Sequence, residues 1–243
     1  MRDVLLLAVM FGGLIATLRY PFVGVILWGW FSIMTPHQMA YGAFGLQLNT
    51  IIAIVTIVSI VANGEYTRFR FGPIPILLCL LALARTLSQM LSLLPANSAP
   101  YYDRFIKILL FIFIAMQLAN TRLRAHALLW TLTLGIGFFA AKGALFTLAT
   151  LGQFRVQGLP QTVLEDNNHM GIAMATLLPI ILYLREQSAA PWVRRGLLAL
   201  FALTIFAIIG TQSRGAFIAL VVFASFFWWR SQQKLLYVGA ALL

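Results

Sequence analysis

The residues able to do chemistry in this chain gather in a few short stretches. "RVQGLPQTVLEDNNHMG", Arg155 to Gly171, holds Glu165 and Asp166, two of only six acidic residues, and then Asn167, Asn168 and His169. "GTQSRGA", Gly210 to Ala216, sets Ser213 and Arg214 among small residues, and "FFAAKGALF" places Lys142 inside an apolar run. Two guanidiniums, at 155 and 214, suit a phosphate group, because the planar fork of Arg matches its oxygens bidentately. Each residue also has a plainer reading. Asp166 can be an N-cap, its carboxylate accepting from free N–H groups at a helix start. Asn167 and Asn168 can be solvated helix-end residues, His169 a satisfied polar side chain and Arg214 a water-exposed turn residue. Against that last reading, the small Ser213, Gly215 and Ala216 let helices approach closely. An Arg held there needs an anion or carbonyl partner. Lys142 either binds phosphate, snorkels or pairs with an acid. Arg85, beside Thr86, Ser88 and Gln89, either lines a polar cavity or snorkels.

The elements that must position these residues are membrane helices. Of 243 residues, 61% are hydrophobic and 9% charged. Soluble domains carry about 25% charged residues, so this composition cannot cover a water-facing surface. The expected fold is all-α: a polytopic integral membrane protein of about nine to ten transmembrane helices, the last incomplete. Apolar segments fall at about 3–18, 21–34, 47–63, 72–94, 104–120, 125–150, 168–184, 196–211, 214–229 and from 235 onward. The net charge of +11 comes from basic residues scattered between apolar runs, the marking of cytoplasmic loops rather than of nucleic-acid binding. Arg68/Arg70, Arg122/Arg124, Arg185/Arg194/Arg195 and Arg230/Lys234 form four clusters, each consecutive pair separated by two apolar segments. All four therefore belong on one side, the cytoplasm, and the connections 95–103, 151–167 and 211–214 face outward. "TLRYPF" is either a turn between two short helices or a break in one long one, and the side of the N-terminus depends on which. The single Cys79 offers neither a disulfide nor metal-ligand spacing.

Five stretches together resemble a known group. "LRYPFVGVILWGWFSIMTPHQMAYG", "NTRLRAHALLW", "KGALFTL", "FRVQGLPQTVLEDNNHMGIAMATLLPIILYL" and "GTQSRGAFIAL" are similar to the O-antigen ligase and polymerase superfamily, most of all to O-glycosylation ligases associated with the exosortase A system. Residues 1–125 resemble the N-terminal transmembrane region of that ligase type. Residues 126–243 resemble the first part of the ligase-like transmembrane domain, without its large periplasmic loop and C-terminal helices. The resemblance implies a metal-independent, cofactor-free glycosyltransferase of the bacterial inner membrane. It would move a glycan from undecaprenyl diphosphate to a hydroxyl of a glycan, lipid or protein acceptor at the periplasmic face. By position, Arg155 and Arg214 match the family's donor-holding arginines, with Lys142 as a further candidate. Asp166, Asn167, Asn168 and Ser213 would be supporting polar residues. The family's candidate base, a His in the large loop, has no counterpart here, and His169 is only a weak substitute.

Three functions follow as expectations: a membrane glycan ligase, an O-antigen or exopolysaccharide polymerase, and, from another class, a polytopic transporter or flippase of lipid-linked glycans. The transporter reading would make Lys142 and Arg85 pathway residues. From Leu235 only nine residues remain, about 14 Å of helix at 1.5 Å per residue. The chain is therefore expected to be an N-terminal part that binds donor without transferring it alone.

Overall fold

In the computed structural model, the described residues are 2–36, 47–160, 162 and 164–230. They are all helical or connecting, with no strand among them. The α-helices are α1 (Arg2–Arg19), α2 (Pro21–Met34), α3 (Leu48–Ala62), α4 (Pro73–Met90), α5 (Pro95–Leu118), α6 (Arg122–Ala149), α7 (Asn167–Gln187), α8 (Pro191–Gly210) and α9 (Arg214–Arg230), with one 3-10 turn over Glu65–Arg68. Among the described residues, four helices, α4, α6, α7 and α8, are long and apolar enough to cross a membrane. With the exposed apolar side chains of the other helices, they mark a membrane protein. The final apolar segment from 235, Lys234 and His37 lie outside the described residues. The chain divides into two compact units, 1–131 and 132–243.

In the first unit, Tyr20 is extended and Pro21 starts α2 with its preset φ. Gly13 faces Leu27 and Gly24 faces Thr17. That register makes α1 and α2 an antiparallel hairpin, which resolves "TLRYPF" as a true turn. The hydroxyl of Ser59 donates to the Thr17 carbonyl at 2.5 Å, and the Asn63 amide donates to the Leu18 carbonyl at 2.9 Å. The α1–α2 turn therefore lies at the same end as the loop after α3, the one carrying Arg68 and Arg70. A core of Val25, Trp28, Phe31, Ile52, Ile114 and Leu118 binds α2, α3 and α5 together.

One expected loop is absent. Residues 95–103 are not a connection but the first turns of α5. Pro95 occupies the first helical position, where its missing N–H costs nothing. The Asn97 and Ser98 N–H groups bond back to the Leu94 carbonyl. "PANSAPYYD" reads as loop by composition, yet its Pro and Ser suit a helix start. The hairpin tip shrinks to residues 91–94.

In the second unit, α7 packs on α8 and α9. The connection after α6 and the α8–α9 turn meet at one end, and the basic stretch between α7 and α8 lies at the other. This end-to-end segregation matches the expected separation of basic clusters from outward connections.

Candidate functional site

The site is built where the α6–α7 connection meets the α8–α9 turn. Helix α6 ends in two successive left-handed residues, Leu151 (φ 50°) and Gly152 (φ 73°). The Gly152 N–H bonds to the Thr147 carbonyl at 2.9 Å and the Leu151 N–H to the Leu148 carbonyl at 3.3 Å. This paired closure satisfies the last carbonyls of the helix and turns the chain sharply into "QFRVQG". The Val156 N–H then bonds to the Gly210 carbonyl at 2.9 Å, pinning the loop to the end of α8.

The α8–α9 turn is only three residues long. Thr211 is wholly buried, Gln212 is left-handed (φ 52°), and Ser213 caps α9, its hydroxyl accepting from the Ala216 N–H at 3.2 Å. Gln212 joins the two connections with both ends of its amide. Its Oε1 accepts from Arg155 Nε at 3.2 Å, and its Nε2 donates to the Gly152 carbonyl at 2.8 Å. Arg155 is thereby held to the turn that ends in Arg214, the first residue of α9. Both guanidiniums are exposed.

The start of α7 completes the corner. Asp166 is its N-cap, with Oδ1 accepting from the Asn168 N–H at 2.8 Å. That bond holds its carboxyl below the ordinary value of 3.8. Asn167 Nδ2 donates to the Thr211 carbonyl at 2.9 Å, and Asn168 Oδ1 accepts from the Ser213 hydroxyl at 2.7 Å. The two asparagines are struts between α7 and the turn rather than solvated ends. Close packing makes this possible. A side chain at Gly171 would meet the Ala216 Cβ at 2.5 Å and Thr211 Oγ1 at 3.0 Å, and one at Gly210 would run into Thr147.

A depressed carboxylate pKa stabilises the fold above the unfolded value, and that contribution is lost as pH falls through the folded one. The cap should therefore weaken only below about pH 3.8, the unperturbed value. Thermal midpoints in detergent between pH 6 and 3 check this. Asp166→Asn retains a capping oxygen and should flatten the acid-side decline. An unchanged decline would show that Asp166 is not its source.

The structure gathers Arg155, Arg214, Asp166, Asn167, Asn168 and Ser213 at this end. His169, exposed, sits one turn into α7 beside Asp166. Lys142 is not brought in. It is exposed on α6, seven residues before Ala149, about 10 Å down the axis, and shares no bond with the network. Gln212, Thr211, Gly171 and Gly210 were missed by sequence reasoning. A Gln flanked by Thr and Ser between two apolar runs was the available signal for the first two. Among the described residues, no group of three His, Cys, Asp or Glu is placed to hold a metal.

No curated protein and no solved structure matches the chain. Residues 1–189 match the model of a family of unknown function, DUF5935. The match covers 189 of 243 residues and runs through both units as far as the end of α7, so the chain belongs to the DUF5935 family.

Proposed function

We propose that the protein is a membrane glycan ligase, taking a glycan from undecaprenyl diphosphate and passing it to an acceptor hydroxyl at the outer face of the bacterial inner membrane. The observation that carries this reading is the Gln212 bridge, which holds Arg155 to the turn leading into Arg214. Arg214 lies at the first position of α9. A cation there opposes the helix dipole, so its placement does not serve helix stability. Free N–H groups at a helix start and a guanidinium at the same point together favour an anion. Glu165 and Asp166 offset the two arginines in formal charge, but the Asp166 carboxylate is engaged in capping α7.

In the transfer, the acceptor oxygen bonds to the anomeric carbon as the bond from that carbon to the diphosphate breaks. The electron pair leaves on the diphosphate and the acceptor proton passes to a base. Diphosphate is already a fair leaving group. The arginines would stabilise the charge that grows on it, which is electrostatic catalysis. His169 is the imidazole nearest this chemistry along the chain and the residue to test as base.

The decisive experiment is reconstitution in vesicles with an undecaprenyl diphosphate-linked glycan, measuring donor binding and transfer to added acceptor. Saturable donor binding is expected. Translocation of donor without binding selectivity for the diphosphate would instead favour a flippase, and elongation of the donor's own glycan a polymerase. The reading further places nine to ten helices across the membrane with 151–167 outside. A Cys introduced by Gln157→Cys, in a Cys79→Ala background, should react with an impermeant reagent in intact cells. Reaction only after permeabilisation would reverse the orientation.

A further inference from the structure

The loops at the basic end of the first unit enclose a cavity that the α6–α9 corner does not use. Its volume is about 960 Å³, and it lies where the stretch before α4, the end of α5 and the start of α6 meet. One glutamine sets that meeting. Gln117, 7% exposed, accepts from the Arg70 N–H at 2.8 Å and donates to the Arg70 carbonyl at 2.9 Å. Both ends of its amide are spent on the backbone of a residue 47 positions away. The Phe69 and Phe71 rings, on either side of Arg70, stand 5.9 and 6.1 Å from the Phe113 ring and hold the same stretch against α5. Arg70 is thereby fixed in the cavity lining.

Two guanidiniums line the cavity, and they differ. Arg124 is committed. Its N–H groups reach the two Glu65 carboxylate oxygens at 3.3 and 3.4 Å and the Leu118 carbonyl at 3.1 Å, and it lies 5.4 Å over the Phe22 ring. The Arg70 side chain is exposed and, among the described residues, has no acidic partner. No carboxylate is among the residues that line the cavity. Its other polar groups offer hydrogens. Asn120 Oδ1 and Thr121 Oγ1 each accept from Arg124, at 3.4 and 3.2 Å, which leaves the Asn120 amide and the Thr121 hydroxyl to donate. The start of α4 adds little, because Pro73 and Pro75 have no N–H and the Ile76 N–H bonds to the Gly72 carbonyl. Ile74, Pro75 and Met116 make the apolar wall.

Helix α4 is apolar enough to cross a membrane, and its 18 residues make about 27 Å of helix, close to the roughly 30 Å hydrocarbon core. Pro73, its first residue, then lies at one boundary. Arg70 stands at the level of the lipid headgroups, and Ile74 and Met116 stand where acyl chains begin. We propose that this cavity holds the headgroup of an anionic phospholipid, with Arg70 on its phosphate, Asn120 and Thr121 donating to it, and the first acyl carbons against Ile74 and Met116. Basic pockets between helices at a membrane boundary take such headgroups. One uncompensated guanidinium matches a single phosphodiester charge. The ammonium of a zwitterionic headgroup would find no carboxylate in the lining. None of these residues belongs to the α6–α9 corner, so the proposal stands apart from the ligase reading and its test needs no glycan donor.

Native mass spectrometry of the full chain in detergent tests it, with phosphatidylglycerol or phosphatidylcholine titrated in. The protein should retain one phosphatidylglycerol about tenfold more tightly than any phosphatidylcholine, as one charge-assisted contact allows. Arg70→Ala should remove that tight step. Ile74→Trp should remove it too, by filling the apolar wall while every charge stays in place. Ile74 is exposed, and Trp is at home at a membrane boundary, so this variant guards against a failure of the first to insert. Arg122→Ala deletes an exposed cation of the same basic end that does not line the cavity, and should weaken binding by on the order of twofold or less. Soluble glycerol phosphate should not displace the lipid, because it has no chains to lie on the wall. Equal retention of the two lipids, survival of the tight step in Arg70→Ala or in Ile74→Trp, an equal loss in Arg122→Ala, or displacement by glycerol phosphate would overturn the proposal.

Discussion

Arg214→Ala is expected to cut affinity for an undecaprenyl diphosphate-linked donor by roughly 10- to 100-fold, the loss of one charge-assisted contact of about 1.5–3 kcal/mol. It should do so without unfolding the protein. Arg214 is exposed, and its cation sits at the positive end of α9. Removing it relieves an unfavourable interaction with the dipole, so the thermal midpoint should stay level or rise slightly. Lost binding at undiminished stability is the signature of a functional rather than a structural residue. Arg155→Ala should bring a similar loss. Arg155→Lys and Arg214→Lys should also bind poorly, because an ammonium lacks the planar fork. Gln212→Ala should cost less, since Gln212 acts by positioning Arg155 and would not touch the phosphate. Isothermal titration in detergent, with melting curves alongside, checks the set. Donor binding by Arg214→Ala at wild-type strength would remove that residue from the site, and with it the main support for the ligase reading.

The second large effect is structural. Gly171→Leu should destabilise the second unit by about 1–3 kcal/mol, the usual cost of overpacking, and should abolish donor binding with it. The first added carbon already meets the Ala216 Cβ at 2.5 Å and Thr211 Oγ1 at 3.0 Å. Those contacts come from another helix and a capped turn, neither of which is a flexible side-chain tip. Helix α7 must therefore move off α9, and the Asn167–Thr211 and Asn168–Ser213 bonds must stretch with it. Gly215→Ala is the matched control. The Cβ at Gly215 would find only the Ser213 hydroxyl, at 4.0 Å, so its midpoint should barely change. Equal melting behaviour of the two variants would mean that α7 and α9 are not held as closely as described.

Much of the architecture is legible in the sequence, because hydrophobic runs bounded by Pro, Gly and Arg mark helices when the solvent is lipid. Eight of the ten expected segments match α1–α4 and α6–α9 within a few residues at most ends. Residues 95–103 were the failure. Their polarity suggests a loop, whereas Pro95 and Ser98 are helix-start chemistry, and the Asp103–Lys107 pair lets charge continue up the helix. Periodicity also cannot say whether a Pro-marked break is a turn or a kink. The α1–α2 turn needed the Gly24–Thr17 contact and the Ser59–Thr17 bond, which join residues up to 42 positions apart.

At the candidate site, the sequence by itself determined which residues carry chemistry and that Asp166 could cap a helix. Those are properties of residue types and near neighbours. Only the tertiary structure decided that Gln212 ties Arg155 to the turn before Arg214, that Asn167 and Asn168 are struts, and that Lys142 stays out. Each of these is set by one helix end meeting another across 44 to 60 positions of chain. Such meetings follow from where glycines let helices touch, as Gly171 and Gly210 do, and no local pattern encodes which helix will be on the other side.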